Sequence, residues 1–295
     1  MSSPVIDIKD LSKNYGRDRG IEHVSLEVEE GDIFGFIGPN GAGKSTTIRI
    51  LLNLIFPSGG TARIMGMDVV TESKKIKLQT GYVPSDANAY SSMTAGEFLN
   101  YCQGFYGTKN GSERIAALSE LFEVDRKRKI SDLSGGNRKK VAIVQSLLHN
   151  PRLLILDEPT MGLDPLMQAR FYDLLHSENR KGMTIFFSSH MLSEVQMLCK
   201  RVAIIKEGRI IKVEDIETLR KRQLKKVRIE FDDQVDREIV RLPGIQPEPV
   251  ISGKVFQCMY SGNFEELIAA LRGKKITDMT IEEPSLEEIF MHYYN

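Results

Sequence analysis

The 295-residue chain has no tryptophan, three cysteines and no surplus of either charge. Each shortage narrows what it can be. Cys102, Cys199 and Cys258 are odd in number, far apart and form no CxxC pair. Neither a disulfide framework nor a thiolate metal site is expected from them, only reduced thiols of a cytosolic protein. Forty basic residues balance forty acidic ones, whereas a nucleic-acid binder ordinarily carries a basic excess. The first ten residues lack the basic start and apolar run of a signal peptide. No stretch approaches the roughly 18 uncharged apolar residues needed to cross a bilayer. If the protein acts on a membrane, the spans are expected on other subunits.

What remains is an ordinary globular composition whose length suits one large domain and one small one. Val5 to Ile8 and the alternating Val24, Leu26 and Val28 read as strands. Ile33 to Ile37 is an apolar run ending at glycine, and a helical pattern follows from Lys44 to Ile55. Pro57 to Gly60 reads as a turn, and Gly81 to Val83 as a short strand. From about Thr94 to Leu148 the spacing is helical, which predicts a helical insertion. Leu153 to Leu156, Thr184 to Phe187 and Val202 to Ile205 are strand signals separated by helical patterns. That alternation predicts a largely parallel sheet covered by helices. A hairpin through Lys206-Glu207-Gly208 into Arg209 to Ile211 is expected to close it. Past the basic run in Leu219 to Lys226, read as a solvated linker face, the pattern restarts. Strands are expected near Val227 to Phe231, Val255 to Tyr260 and Ile276 to Ile281. Helices are expected at Phe264 to Leu271 and Ser285 to Tyr293.

Two sites of chemistry stand out. Gly38-Pro39-Asn40-Gly41-Ala42-Gly43-Lys44-Ser45-Thr46 matches GxxxxGK[ST] between a strand and a helix, the context this phosphate-binding motif requires. Glycines allow the backbone N–H groups to turn toward phosphate oxygens, and the helix N-terminus adds partial positive charge. Lys44 is placed to reach the outer phosphates, and Ser45 to offer its hydroxyl to Mg²⁺. Downstream, Leu153 to Leu156 delivers Asp157 and Glu158 at the C-terminal end of a buried strand, where ligands of open α/β sheets bind. Asp157 suits the Mg²⁺ shell and Glu158 suits orienting an attacking water; read alone, either acid could instead cap the next element. Ser188-Ser189-His190 ends the following strand, so His190 is a candidate to reach the γ-phosphate and that water.

A phosphate loop alone says only nucleoside triphosphate. The deciding motif is Leu133-Ser134-Gly135-Gly136-Asn137, which opens a helical run from Arg138 to Leu148. It resembles the LSGGQ signature of ABC ATPases, and with GPNGAGKST and LLILDEP around it the resemblance covers residues from about 4 to 215. The resemblance implies an α/β P-loop ABC ATPase core over residues 1–220, with an antiparallel N-terminal β part and a helical subdomain at about 85–150. A small C-terminal α/β domain is expected over 221–295. It also implies a head-to-tail dimer with a second ABC ATPase chain, identical or different. Ser134, Gly135, Gly136 and Asn137 would then meet the ATP held by the partner's phosphate loop. A plain helix cap at Ser134 would not explain the paired glycines. Tyr15 resembles the aromatic that stacks on adenine, with a surface turn tyrosine as the alternative. Gly162-Leu163-Asp164-Pro165 resembles the D-loop, which places Asp164 near the opposite site.

The chain departs from the family pattern twice. Ser85 follows Gly81-Tyr82-Val83-Pro84 where a glutamine is usual, so its approach to Mg²⁺ would need a bridging water, or Asp86 in its stead. Asn137 stands where the signature usually has glutamine. Within the family, a single cassette without an inserted coiled coil favours a transporter ATPase working with integral membrane permease subunits and not with nucleic acid. The C-terminal Glu283 to Phe290 resembles bacterial exporters of the bacitracin-resistance, antibiotic-export and sodium-export type. Ala89, Tyr90, Met93 and Phe98 lie where such members touch the permease; ordinary packing is the other reading. The implied location is cytoplasmic, at the inner face of the cell membrane. The implied activity is Mg-ATP hydrolysis, with a slow ATP-gated clamp or a non-transport ABC ATPase as alternatives. The C-terminal domain is left between dimerisation, permease docking and regulator binding.

Overall fold

Two sheets of different character build the larger part of the molecule. In this computed structural model, residues 4–16, 18–86, 92–107, 110–217, 225–235, 237–245 and 249–282 are described. Ala89 and Tyr90 of the expected permease contact, residues 219–224 of the basic run, Glu283 to Phe290 and the expected helix Ser285 to Tyr293 lie outside them. The chain divides into two compact units, Met1–Asp215 and Ile216–Asn295.

The first sheet of the larger unit is antiparallel. It contains β1 (Ile6–Tyr15) and β2 (Asp18–Val28). After β3 (Ile33–Ile37) and helix α1 (Lys44–Leu51), the chain returns to it in β4 (Gly59–Ile64) and β5 (Met67–Asp68), in the order β2-β1-β4-β5. β4 was not foreseen, because its first residues, Gly59 and Gly60, read as a turn. A side chain at Gly60 would come within 2.2 Å of the Asp10 carbonyl, beside an irregularity between Lys9 and Ser12 in the β1–β4 pairing. Gly60 also takes a left-handed φ of 75°, so close approach of two strands and the local backbone both call for glycine there. Helix α1 stops at Leu51, short of Ile55, and Asn53 then takes a left-handed φ of 48°.

The second sheet carries the site. After the short helix α2 (Ser73–Lys77) come β6 (Thr80–Val83) and the helical segment. That segment consists of α3 (Ala95–Gly104), α4 (Gly111–Leu121), a 3-10 turn at Ile130–Asp132 and α5 (Gly135–Ser146). Then follow β7 (Leu153–Asp157), α6 (Pro165–Arg180), β8 (Thr184–Ser189), α7 (Leu192–Leu198), β9 (Arg201–Lys206) and β10 (Arg209–Asp215). The strand order is β10-β9-β3-β8-β7-β6, parallel except for the β9–β10 hairpin. Every residue of β3, β7 and β8 is buried, as expected of parallel strands covered on both faces. Their central residues are apolar for that reason, with polar side chains confined to the ends of β7 and β8. Thr94 starts α3 with a capping box: its hydroxyl accepts from Glu97 N at 3.2 Å, and Glu97 accepts from Thr94 N at 2.8 Å. Arg114 of α4 binds Glu178 of α6 at 3.1 Å, tying the helical segment to the sheet domain.

The smaller unit is an antiparallel sheet of β11 (Lys225–Phe231), β12 (Val250–Ser252), β13 (Val255–Tyr260) and, after α8 (Phe264–Leu271), β14 (Ile276–Glu282). Its order is β12-β13-β11-β14. Val227, Ile229 and Phe231 alternate inward with Phe256, Cys258 and Tyr260, and Leu267 and Leu271 complete that core. β12 is exposed along its length, so it gave no alternation to read. All three cysteines are free, and burial pushes the Cys102 and Cys258 thiols up to about 11.

Candidate functional site

Four neighbouring strands of the parallel sheet, β3, β8, β7 and β6, end at one edge, and the chemistry-bearing residues emerge there. After β3 the chain bends at Gly38, where a Cβ would stand 2.2 Å from the Ile205 carbonyl. Gly43, at φ 109°, precedes α1, and a Cβ on it would strike Ile21 at 2.6 Å. The loop is therefore pressed against β2 and β9, with its own backbone as the exposed surface. Gly208 N donates to Ala42 O at 2.9 Å, and Glu22 N donates to Gly208 O at 2.8 Å. The β1–β2 ribbon is thus anchored to the loop through the β9–β10 turn. A cavity of about 750 Å³ lies along this ribbon, lined by residues including Lys13, Asn14, Ile21 and Arg209. Tyr15 ends β1 on the same ribbon, partly exposed, with the Lys13 amine 5.4 Å from its ring centre.

Lys44 is buried, and its amine has three partners. It donates to Gly38 O at 2.6 Å and Pro39 O at 3.2 Å, and it ion-pairs with Glu158 Oε1 at 3.3 Å. The last contact lacks hydrogen-bond alignment, so Oε1 is buried with a charge partner but no hydrogen-bond donor. Glu158 Oε2 lies 2.7 Å from His190 Nδ1. Glu158 itself adopts φ 49°, a left-handed conformation that costs a non-glycine residue about 1–2 kcal/mol. That backbone turns the carboxylate away from β7 and toward Lys44 and His190. Its N–H is held by the Ser188 carbonyl at 3.1 Å. Burial raises the pKa of Asp157. The hydroxyls of Ser45 and Ser188 act the other way by hydrogen bonding, Ser188 Oγ at 3.3 Å.

Two side chains that sequence reasoning missed also converge here. Glu194 of α7, buried, accepts from the hydroxyls of Thr160, Tyr172 at 3.1 Å and Ser189 at 2.5 Å. Ser189 Oγ in turn accepts from Met191 N at 2.9 Å, so the Ser189–His190 turn is held from behind. Lys139 of α5 sends its amine to Pro84 O at 2.8 Å, Ser85 O at 2.6 Å and Glu158 O at 3.2 Å. Ser85 enters the site by its carbonyl. Neither Lys139 nor Glu194 belongs to a local motif, and no signal in the sequence would have singled them out.

The Ser134 loop makes its close contacts elsewhere. Ser134 caps α5, its Oγ accepting from Asn137 N at 3.3 Å. Nothing stands within 4 Å of a Cβ on Gly135, whereas one on Gly136 would come 2.3 Å from Gly162 O. The paired glycines therefore differ: the second admits the backbone of the Gly162–Asp164 turn, and the first leaves the helix start open. Asp164 caps α6, accepting from Met167 N at 3.0 Å, and that bond keeps its carboxyl below the ordinary range. Gly136→Ala is expected to destabilise the chain by about 1–3 kcal/mol, the usual cost of overpacking a tight contact. Thermal unfolding would register it, and an unchanged midpoint would refute the close approach.

Comparison with known proteins points one way. The ABC transporter family profile matches residues 21–161. The bacitracin transport ATP-binding protein BcrA of Bacillus licheniformis is 37% identical over 235 residues, covering 79% of this chain and 76% of its own. The Nod factor export ATP-binding protein I of Rhizobium sp. (strain N33) is 31% identical and covers 99% of this chain and 97% of its own. Among solved structures, the dimeric post-hydrolysis state of the ATP-binding cassette MJ0796, bound to ADP and Pi, superposes with a TM-score of 0.66. It is 26% identical and covers 72% of this chain and 98% of that one.

Proposed function

Since the chain belongs to the ABC transporter family, as an ATP-binding subunit that hydrolyses ATP, we propose that it powers a separate membrane permease in a bacterial export system. In this reading it acts as one half of a dimer that encloses two nucleotides. The observation that carries the proposal is the contact chain Lys44–Glu158–His190 at the mouth of the glycine loop. It sets a cation, a carboxylate and an imidazole around one point at the strand ends.

Each residue then has a task. The N–H groups of the Gly38–Gly43 loop and the start of α1, through Thr46, surround the phosphates. Lys44 exchanges its carbonyl and carboxylate partners for phosphate oxygens. Released from that pair, Glu158 orients and polarises the attacking water, with His190 holding its other oxygen. Tyr15, on the ribbon anchored to the loop, offers its face to the adenine. Ser134, Gly135, Gly136 and Asn137, with Asp164 behind them, meet the partner's nucleotide. Gly135 suits that task because no neighbour crowds it.

Mg²⁺ fits the residues present. Among the described residues no three His, Cys, Asp or Glu side chains form a self-sufficient metal cage. Mg²⁺ rarely uses one: it takes one or two protein oxygens and fills its shell with phosphate and water. Ser45 and Asp157, adjacent and both oxygen donors, would hold it, with Ser85 or Asp86 alongside. Its charge, when bound, screens the phosphates.

Support for export comes from relatives named for bacitracin transport and Nod factor export. No helix among the described residues is long and apolar enough to cross a membrane, which accords with spans on partner subunits and a place at the cytoplasmic face. The test combines turnover and assembly. The purified chain is expected to release phosphate from Mg-ATP with a Hill coefficient above one and to co-purify with a polytopic membrane protein. Binding of ATP without phosphate release, alone and with that partner, would instead support an ATP-gated clamp.

A further inference from the structure

A second lysine reaches the site from behind. Lys139 projects from α5, one turn past the Ser134–Gly136 start, and is 3% exposed. An ammonium group has three N–H donors and no acceptor capacity. Here three backbone carbonyls receive them: Pro84 and Ser85, just beyond β6, and Glu158, just beyond β7. Burying a charged amine is costly unless it is fully hydrogen-bonded and faces opposite charge. Burial lowers the pKa of the amine, and the nearby carboxylates of Asp157, Asp86 and Glu158 act the other way, while its three donors are all taken. An apolar side chain would fill the same space without that cost, so packing alone does not account for a lysine.

The third carbonyl is the informative one. Glu158 occupies a left-handed conformation at φ 49°. Its peptide N–H is held by Ser188 O, and its carbonyl by the Lys139 amine at 3.2 Å and, more loosely, by Met161 N at 3.4 Å. These bonds fix the backbone on both sides of the Glu158 Cα, and with it the direction of the carboxylate, and Lys139 supplies the shorter one on the carbonyl side. The same amine sits on the helix whose first residues pack on Gly162. Any displacement of that helix start therefore pulls on the Glu158 carbonyl through one side chain.

We propose that Lys139 is a positioning residue for hydrolysis: it locks the Glu158 backbone so that the carboxylate faces the reacting phosphate, and it couples that carboxylate to the Ser134–Gly136 helix start. The inference rests on the hydrolytic role proposed above for Glu158. In the dimer, the helix start of one chain meets the nucleotide of the other. Lys139 then makes the geometry of one site depend on occupancy of its neighbour.

The full-length chain carries the test, as Lys139→Met and Lys139→Gln beside wild type. Methionine keeps length and volume but has no donor; glutamine keeps N–H donors. Lys139→Met is expected to lower kcat about 10- to 100-fold, the scale of a small misplacement of a reacting group. KM and the affinity for a fluorescent ATP analogue should stay at wild-type values, and the Hill coefficient should fall to one. Lys139→Gln should recover part of kcat. If Lys139→Met does not yield folded protein, Lys139→Gln carries the test, with the same selective but smaller loss of kcat. Unchanged kcat in Lys139→Met overturns the proposal. So does a joint fall of kcat, nucleotide affinity and thermal midpoint with glutamine no better than methionine, the mark of a purely structural bond. An inactive wild-type chain would overturn the role of Glu158 itself, whereas active wild type with equally active variants overturns only the role of Lys139.

Discussion

Lys44→Ala should lose ATP almost completely. In the structure the amine is ion-paired with the Glu158 carboxylate at 3.3 Å, and it neutralises a pocket that also contains Asp157. A triphosphate brings several negative charges to that place. Without Lys44, two carboxylates face them, and the carbonyls of Gly38 and Pro39 lose their donor as well. Truncating one member of a buried, hydrogen-bonded charge pair costs about 2–5 kcal/mol, so the dissociation constant should rise roughly 30- to 5,000-fold. Equilibrium titration with a fluorescent ATP analogue measures it directly. The fold should tolerate the change, because Lys44 projects into the loop and not into the apolar core formed by Ile48, Ile50 and Leu51. Wild-type affinity in this variant would remove the loop from nucleotide binding and end the functional reading.

The parts of this architecture that could be read in advance share one physical property: their chemistry lies in consecutive residues. A glycine loop between a strand and a helix, an apolar strand ending in Asp157-Glu158 and another ending in Ser188-Ser189-His190 each state their backbone geometry locally. Parallel alternation then predicts that such strand ends share an edge, and Lys44, Glu158 and His190 do meet there. What could not be read depends on distant pairing. The Lys139 amine joins carbonyls 55, 54 and 19 positions away, and the hydroxyls gathered on Glu194 come from a turn, a helix and a strand. Lysine five residues into a helix and glutamate on a short helix look like solvent-facing residues until tertiary packing buries them. Strand β4 was hidden for the opposite reason, since its Gly59-Gly60 start obeys turn chemistry locally and is overridden by a close strand contact. α2, five residues long, is too short to show a period.

Burial of both acids gives the second large prediction its sign. Glu158→Gln removes one charge and almost no volume. The amide can still meet His190, and the left-handed backbone at position 158 stays bound to Ser188 and Lys139. What is lost is a group that can accept a proton from water as it attacks. Turnover should therefore drop about 10²–10⁴-fold, the usual worth of a positioned base. ATP affinity should move in the other direction or stay level. Lys44 no longer has a carboxylate at 3.3 Å competing with phosphate for it, and the pocket is less negative toward the incoming nucleotide. Tight binding without hydrolysis should then trap the enclosed state, so that Mg-ATP converts the purified variant from monomer to dimer in light scattering while the wild type passes through the dimer and returns. Normal kcat in Glu158→Gln would assign the base to another residue, with His190 the nearest. Weakened ATP binding would mean that the carboxylate supports the nucleotide rather than the water, and the contact chain Lys44–Glu158–His190 would then describe a binding site alone.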